Sequence, residues 1–386
     1  MARRFDIDAL NPPELTMARK LRQLNWGLIA LLSMIAAVGF AMLYSAGNGN
    51  WNPWAYRQMI RYGVGLSLAV SIALLDLRLL MRWSYVAYGV VLAMLTAVEV
   101  AGEIGMGAQR WIDLGIFQVQ PSELMKIALV LALARYFHGL THEDVARPHF
   151  LLAPLAMVAA PVVLVLRQPD LGTAGMILLG SCAIFFLAGV RIWKFVTLLV
   201  LGIASVPIAW QFLREYQKNR ILTFLNPESD PLGSGYHILQ SKIALGSGGL
   251  FGKGFLQGSQ SHLNFLPEKQ TDFIFTMVAE EFGLVGALGL ISLFVLVILY
   301  GVAIGLQVQS QFGRLLALGA TTALFLYVFI NIAMVMGLVP VVGVPLPLIS
   351  YGGTALLTVM AAVGLIMCAY VHRDLRISRQ GLDEDE

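Results

Sequence analysis

The chain is 386 residues long, 58% apolar and only 13% charged, against about 45–50% apolar and about 25% charged in a soluble domain. That is too few charges to coat a soluble surface of this size; a formal net charge of +3 says little about a nucleic-acid partner, and no basic block of the kind a DNA-binding face needs is present. The apolar residues fall in runs of roughly 20, the length of a helix crossing a bilayer core, so residues 1–386 are expected to form a single all-α polytopic membrane domain.

In chain order, residues 1–25 carry a basic cluster, Arg3, Arg4, Arg19, Lys20 and Arg22, which predicts a cytoplasmic N-terminal segment. Asn11, Pro12, Pro13 and Glu14 are start signals for a short amphipathic helix there. The first apolar run, Trp26 to Ala46, is too long for the core of a cleaved signal and no A-x-A site follows. Ten spans are expected, near 26–46, 62–77, 83–101, 121–137, 149–166, 171–189, 193–213, 273–304, 313–338 and 352–371. The eighth exceeds what a span needs, so part of it tilts or projects. With the N-terminus inside, the inner segments hold 15 of the 26 basic residues, and the short outer loops hold only Arg57, Arg61, Arg110 and Arg167. That asymmetry places both termini in the cytoplasm, including the tail 372–386.

Two outer stretches are polar without the composition of disorder: 102–120, and 214–272 between the seventh and eighth helices. The second is the large extracytoplasmic loop. It contains apolar helical pieces such as Tyr236 to Ala244 and reads as a folded cap lying on the membrane, because long loops in compact proteins are usually functional or disordered. Cys182 and Cys368 both lie inside apolar runs and read as small packing residues rather than a disulfide. No internal repeat of the transporter kind is evident.

Ionisable residues inside spans are costly and mark function. Glu123 and Lys126 in QPSELMK are three apart, so they share a helix face and can pair. The pair either fixes packing or lines a polar cavity that meets an anionic headgroup. Asp272 in PEKQTDFIF stands at the junction of water and membrane. It either caps the helix that follows or acts as a general base, its basicity raised by partial desolvation. The glycine series from Gly246 to Ser259 with Lys253 suits close approach to phosphates, although a plain turn explains it as well; it is not a nucleotide-binding loop, since no GK[ST] follows. Arg110 in GAQRWIDLG offers a fork for phosphate oxygens, beside Trp111, which also fits an interfacial belt. Arg57 and Arg167 lie at the same boundary. His138 and His142 with Glu143 and Asp144 resemble a metal pair only superficially and read as a solvated face. Glu280 and Glu281 enter the eighth span, and one of them can face a polar cavity.

These motifs together, QPSELMK, QPDLGTA, NPESDPLGSGYHILQSKIALGSGGLFGKGF, FLPEKQTDFIF and VPLPLISYGG, resemble the SEDS family of shape, elongation, division and sporulation proteins over nearly the whole chain. NPESDPLGSGYHILQSK and PVVGVPLPLISYGG are more similar to its elongation members than to its division members. The resemblance implies a ten-span inner-membrane glycosyltransferase of bacteria that polymerises lipid II into glycan strands and releases undecaprenyl diphosphate, with its active site facing the periplasm. It also implies a class B penicillin-binding protein as transpeptidase partner in the elongation complex. By position in the family motifs, Asp272 matches the essential aspartate, Glu123 and Lys126 the fourth-span pair, Arg57 the arginine of the first outer loop, and Trp111 the tryptophan after Gln-Arg. Gln270 departs from a common histidine, while the aspartate is retained.

The chemistry agrees with that implication. The anomeric carbon of lipid II already carries a diphosphate leaving group, so no nucleotide is needed. The enzyme must deprotonate an acceptor hydroxyl, a task worth about 10²–10⁴-fold, and stabilise the departing diphosphate, worth roughly 2.7–4 kcal/mol per well-placed donor. Asp272 is the expected base. Arg57, Arg110, Lys126 and Lys253 are the expected charge-bearing contacts, with a divalent cation (magnesium or manganese) sharing the role. The rival reading is a flippase carrying lipid II outward, which needs the cavity and the cations but no base at the outer edge. A pure scaffold needs neither.

Overall fold

The computed structural model describes residues 16–101, 103–105, 108–113, 118–213, 215–226, 234–262 and 268–378. Arg3, Arg4, Asn11, Glu14, Gly107, Gly115, the NPESDPLG stretch beyond Asn226, Pro267, Arg379 and the acidic tail lie outside the described residues. A short helix α1 (Met17–Gln23) precedes α2 (Trp26–Ala46), α3 (Ala55–Leu74) and α4 (Leu77–Ala101). Three strands follow, β1 (Glu103–Gly105), β2 (Ala108–Asp113) and β3 (Gln118–Val119), then α5 (Pro121–His138), α6 (His142–Ala146), α7 (Leu152–Arg167), α8 (Leu171–Leu187) and α9 (Ile192–Phe212). The chain continues through α10 (Glu215–Leu225), α11 (Ser234–Ser247) and α12 (Ser259–His262) to α13 (Ile274–Gln307), α14 (Gln311–Val335) and α15 (Gly353–Val371).

Ten helices of 16 residues or more lie among the described residues, where the apolar runs are. Six of them are long and apolar enough to cross a membrane: α2, α4 to Glu99, α7 from Pro148, α13, α14 and α15. The chain is thus a multi-pass membrane protein. Their starts are written locally. The Asn25, Asp170 and Ser310 side chains accept the backbone N–H of Leu28, Thr173 and Gly313, the capping bonds that satisfy otherwise orphaned donors. Pro121 opens α5 at the position where a missing N–H costs nothing. α3 packs along α15, where a Cβ on Gly364 would lie 2.8 Å from the carbonyl of Ala69. Such small-residue contacts bring helices close where no hydrophobic force favours association.

Several expectations change. The second span, expected at 62–77, is a helix that begins at Ala55 and ends at Leu74. Asp76 instead accepts the N–H of Arg78 at 2.8 Å and so starts α4, which begins at Leu77 rather than 83. Arg57 and Arg61 therefore ride on the first two turns of α3. The all-α expectation also fails over 102–120, where β1, β2 and β3 form a three-stranded antiparallel sheet. The period-two pattern of Ala108–Asp113 puts Arg110 and Ile112 on one face and Trp111 on the other.

The large loop does not merely lie on a surface. The Ser241 hydroxyl of α11 reaches Thr276 Oγ1 at 3.0 Å and donates to the Val335 carbonyl at 2.8 Å, rooting the cap between α13 and α14. His138, expected on a solvated face, is buried against the Ser378 carbonyl at 3.1 Å. Cys182 and Cys368 are free thiols, as read from their apolar surroundings.

α13 is broken. Gly283 has φ 67° and ψ −163°, outside any helix. Ile274–Phe282 is a short helix of its own, and the longer piece starts at Leu284. A break at this depth is tolerated only where protein satisfies the freed backbone groups. The glycine-rich turn does so. Lys253 N and Gly254 N donate to the carbonyls of Glu280 and Glu281, each at 3.0 Å, and Leu284 N and Val285 N donate to the carbonyls of Gly249 and Leu250 at 2.9 and 3.1 Å.

Candidate active site

Two polar clusters are carried by one face of α14. The first sits deep against α5. Glu123 and Lys126 are buried and paired at 2.6 Å. The Lys126 ammonium lies 4.2 Å from the centre of the Tyr327 ring, a cation–π distance. The Tyr327 hydroxyl donates to the second oxygen of Glu123. Glu123 occupies the first turn of α5, where the helix dipole favours an anion. An unpaired charge would be prohibitive at this depth, yet each group has a partner.

The second cluster is the turn bearing Asp272. Its backbone is held by three consecutive carbonyls. Gln270 O accepts from Tyr351 N at 2.8 Å, Thr271 O from Ser350 Oγ at 2.6 Å, and Asp272 O from Asn331 Nδ2 at 2.9 Å. Asn331 is fully buried and also donates to Val344 O at 2.7 Å. The segment VPLPLISYGG is thereby laid against the Asp272 turn, and Gln58 of α3 ties it down by donating to Ser350 O at 2.8 Å. The Asp272 side chain itself is partly exposed. Its Oδ2 lies 3.4 Å from where a Cβ on Gly343 would stand. Tyr327 and Asn331 are four residues apart, about 6 Å along the helix, so the two clusters are neighbours on one rigid element. In the same turn, burial pushes the Lys269 ammonium below its ordinary pKa.

The remaining expected residues are dispersed. Arg57 is exposed on α3. One turn on, Arg61 stacks 4.5 Å above the Tyr351 ring, and one of its terminal nitrogens is buried without a hydrogen-bond partner. Arg110 donates to the carbonyls of Gln168 and Pro169 at 3.2 and 2.8 Å and lies 3.7 Å from Asp170, so it fastens the small sheet to the α7–α8 turn. Trp111 is half-buried next to it, and Arg167 faces Glu99 at 3.9 Å. Lys253 reaches Glu280 at 2.8 Å and Ser259 at 2.7 Å. Glu281 accepts from Ser45, so both glutamates of α13 are buried and engaged.

Sequence reasoning missed Tyr327 and Asn331. Their signal was present: two polar side chains at i and i+4 inside the apolar run LFLYVFINIAMV.

Among the described residues no three His, Cys, Asp or Glu side chains gather as a metal cage. The carbonyls of Gln270, Thr271 and Asp272 already accept hydrogen bonds. This donor set does not fit a resident divalent ion; Asp272 offers a single carboxylate.

The fold and the site define a class of protein: a helical membrane bundle, folded over at one end by a cap, that holds an aspartate turn beside a buried Lys–Glu pair. The family model for the FtsW/RodA/SpoVE cell cycle proteins matches residues 19–375. The chain belongs to this family. It is 44% identical over 369 residues to the peptidoglycan glycosyltransferase MrdB of Escherichia coli (strain K12), covering 95% of this chain and 98% of the relative. It is 38% identical over 354 residues to the probable peptidoglycan glycosyltransferase FtsW of Coxiella burnetii, covering 89% and 94%. Among solved structures it matches one described as "Structural coordination of polymerization and crosslinking by a peptidoglycan synthase complex" at 34% identity and TM-score 0.80, covering 91% and 98%. It also matches the crystal structure of the rod shape determining protein RodA of Thermus thermophilus at 31% identity and TM-score 0.69, covering 91% and 97%.

Proposed function

We infer that the chain is a peptidoglycan glycosyltransferase that polymerises lipid II into glycan strands during cell elongation. The observation that carries this is the Asp272 turn. A partly exposed carboxylate stands on a turn whose backbone Asn331 of α14 holds, one helical turn from the Tyr327 that contacts the buried Glu123–Lys126 pair, in a chain whose named relatives are peptidoglycan glycosyltransferases.

In this reading Asp272 accepts the proton of the acceptor sugar hydroxyl. The hydroxyl oxygen attacks the anomeric carbon, the bond from that carbon to the diphosphate oxygen breaks, and undecaprenyl diphosphate leaves with the electron pair. Direct displacement inverts the α linkage to β. Lys126 has three N–H donors and shares one with Glu123, so it can turn a donor to an incoming phosphate. Arg57 supplies an exposed guanidinium on α3, and Arg110 and Trp111 are adjacent on β2, where Arg110 is engaged by Asp170. A magnesium or manganese ion would enter with the diphosphate, since magnesium is commonly held by one or two carboxylates plus substrate phosphates.

The proposed setting is the bacterial inner membrane, with ten spans, both termini cytoplasmic, and the Asp272 turn facing the periplasm. The growing glycan strand occupies the cap side, and a class B penicillin-binding protein cross-links it. Purified chain with that partner, the transpeptidase blocked, is expected to convert lipid II into polymer resolved on a gel. Lipid II crossing vesicle membranes with no polymer formed would favour the flippase instead.

A further inference from the structure

Asp272 sits at one end of a short helix whose other end is gripped by a residue expected to touch substrate. The piece Ile274–Phe282 spans nine residues, about 13 Å, and Gly283 disconnects it from the rest of α13. Its N-terminal end is fixed by the Gln270, Thr271 and Asp272 carbonyls. Its C-terminal end carries Glu280 and Glu281, both essentially fully buried. Two carboxylates at a helix C-terminus oppose the helix dipole, and burial adds a large cost unless a cation and hydrogen bonds compensate. The compensation comes from the glycine-rich turn. One oxygen of Glu280 receives Lys253 Nζ at 2.8 Å, Gln260 N at 2.9 Å and Ser259 Oγ at 3.3 Å.

The backbone confirms how tightly the turn is seated. A Cβ on Gly248 would stand 2.0 Å from the Ala279 carbonyl, and one on Gly252 would stand 2.1 Å from the Glu281 carbonyl. The glycines are thus spent on contact with this helix rather than on an open phosphate cradle.

We propose that Lys253 is a positioning residue, which through Glu280 holds the short helix Ile274–Phe282 and so sets the place of Asp272. This rests on the reading of Asp272 as the base, and it differs from the expectation that Lys253 contacts the diphosphate. A misplacement of about 1 Å in a reacting group costs up to roughly 100-fold, so the clamp controls turnover without touching substrate.

The test measures hydrogen–deuterium exchange on the full chain in detergent, and steady-state polymerisation with the penicillin-binding partner present. Lys253→Met is expected to speed exchange across 274–282 while 284–307 stays as in the parent. It is expected to lower kcat roughly 10–100-fold with KM for lipid II unchanged. Lys253→Met/Glu280→Gln, which removes the stranded carboxylate charge as well, is expected to recover both readouts most of the way. If Lys253→Met alone does not fold, the double variant carries the exchange comparison. Unchanged exchange over 274–282 with a raised KM would make Lys253 a substrate contact and overturn the proposal, as would a double variant no better than the single. Asp272→Ala judges the base assignment separately, because the exchange result does not depend on activity.

Discussion

Glu123 cannot lose Lys126 without becoming a buried carboxylate held by Tyr327 alone. Breaking such a pair costs about 3–5 kcal/mol, whereas replacing both partners by neutral groups is often close to neutral. Lys126→Ala is therefore expected to lower the thermal midpoint strongly and to abolish turnover. Glu123→Gln/Lys126→Met should restore the midpoint but not the turnover, a contrast read by melting in detergent beside a polymerisation assay. Parent-like turnover in a well-folded Lys126→Ala protein would end its headgroup role. Tyr327→Phe removes one hydrogen bond to a carboxylate and should cost about 1–2 kcal/mol by the same melt. The spacing of Glu123 and Lys126 made their pairing legible in the sequence. Tyr327 was not legible, because it meets Glu123 across 204 residues of chain and periodicity reports only neighbours on one element. Arg110 shows the same limit: its charge was visible, but the Asp170 that engages it was not.

At the scale of elements, the break in α13 is the feature that apolar patterning hides. FGLVGALGL reads as continuous helix, and Gly283 announces nothing until the carbonyls and N–H groups on either side are traced to the glycine-rich turn. The same trace divides that turn's glycines into two kinds. Gly252, at φ +80° and with no room for a Cβ, is expected to lose about 2–4 kcal/mol on replacement by alanine. Gly246 lies exposed in α11 with nothing within 4 Å of its β position, and there alanine is expected to be neutral or to stabilise by about 0.5–1 kcal/mol. Chemical or thermal unfolding of the two variants checks the pair, and equal effects would contradict the packing role of the turn. The sheet at β1–β3 was missed for a different reason. Its strands are two to six residues long, too short for an alternating pattern to stand out in a polar stretch.

At the scale of the whole molecule, the apolar runs marked the helices well; the junction of α3 and α4 was misplaced because Asp76 starts α4, and the start of α3 was placed late because the charged Arg57 and Arg61 lie in its first two turns. The far end of the bundle also holds a pH-sensitive contact. His372 follows α15, its Nε2 buried without a hydrogen-bond partner. Burial, with a small contribution from Lys20, pushes its pKa below the ordinary 6.5, against opposing effects of the Cys368 carbonyl and Asp76. A histidine whose folded pKa is depressed binds fewer protons folded than unfolded, so stability rises with pH through this window. Stability is thus full above about 6.5 and falls as acid protonates the unfolded chain first. Melting profiles from neutral pH downward should show that loss in the parent and a flatter slope in His372→Gln.

The measurement that bears most directly on the assignment of Asp272 compares the parent with Asp272→Ala on lipid II, each with the penicillin-binding partner and its transpeptidase blocked. Polymer from the parent and none from a mutant with parent-like melting is the expected result. Polymer from both would leave a polymerase whose base lies elsewhere, and would contradict the role of the Asp272 turn as the site of proton transfer.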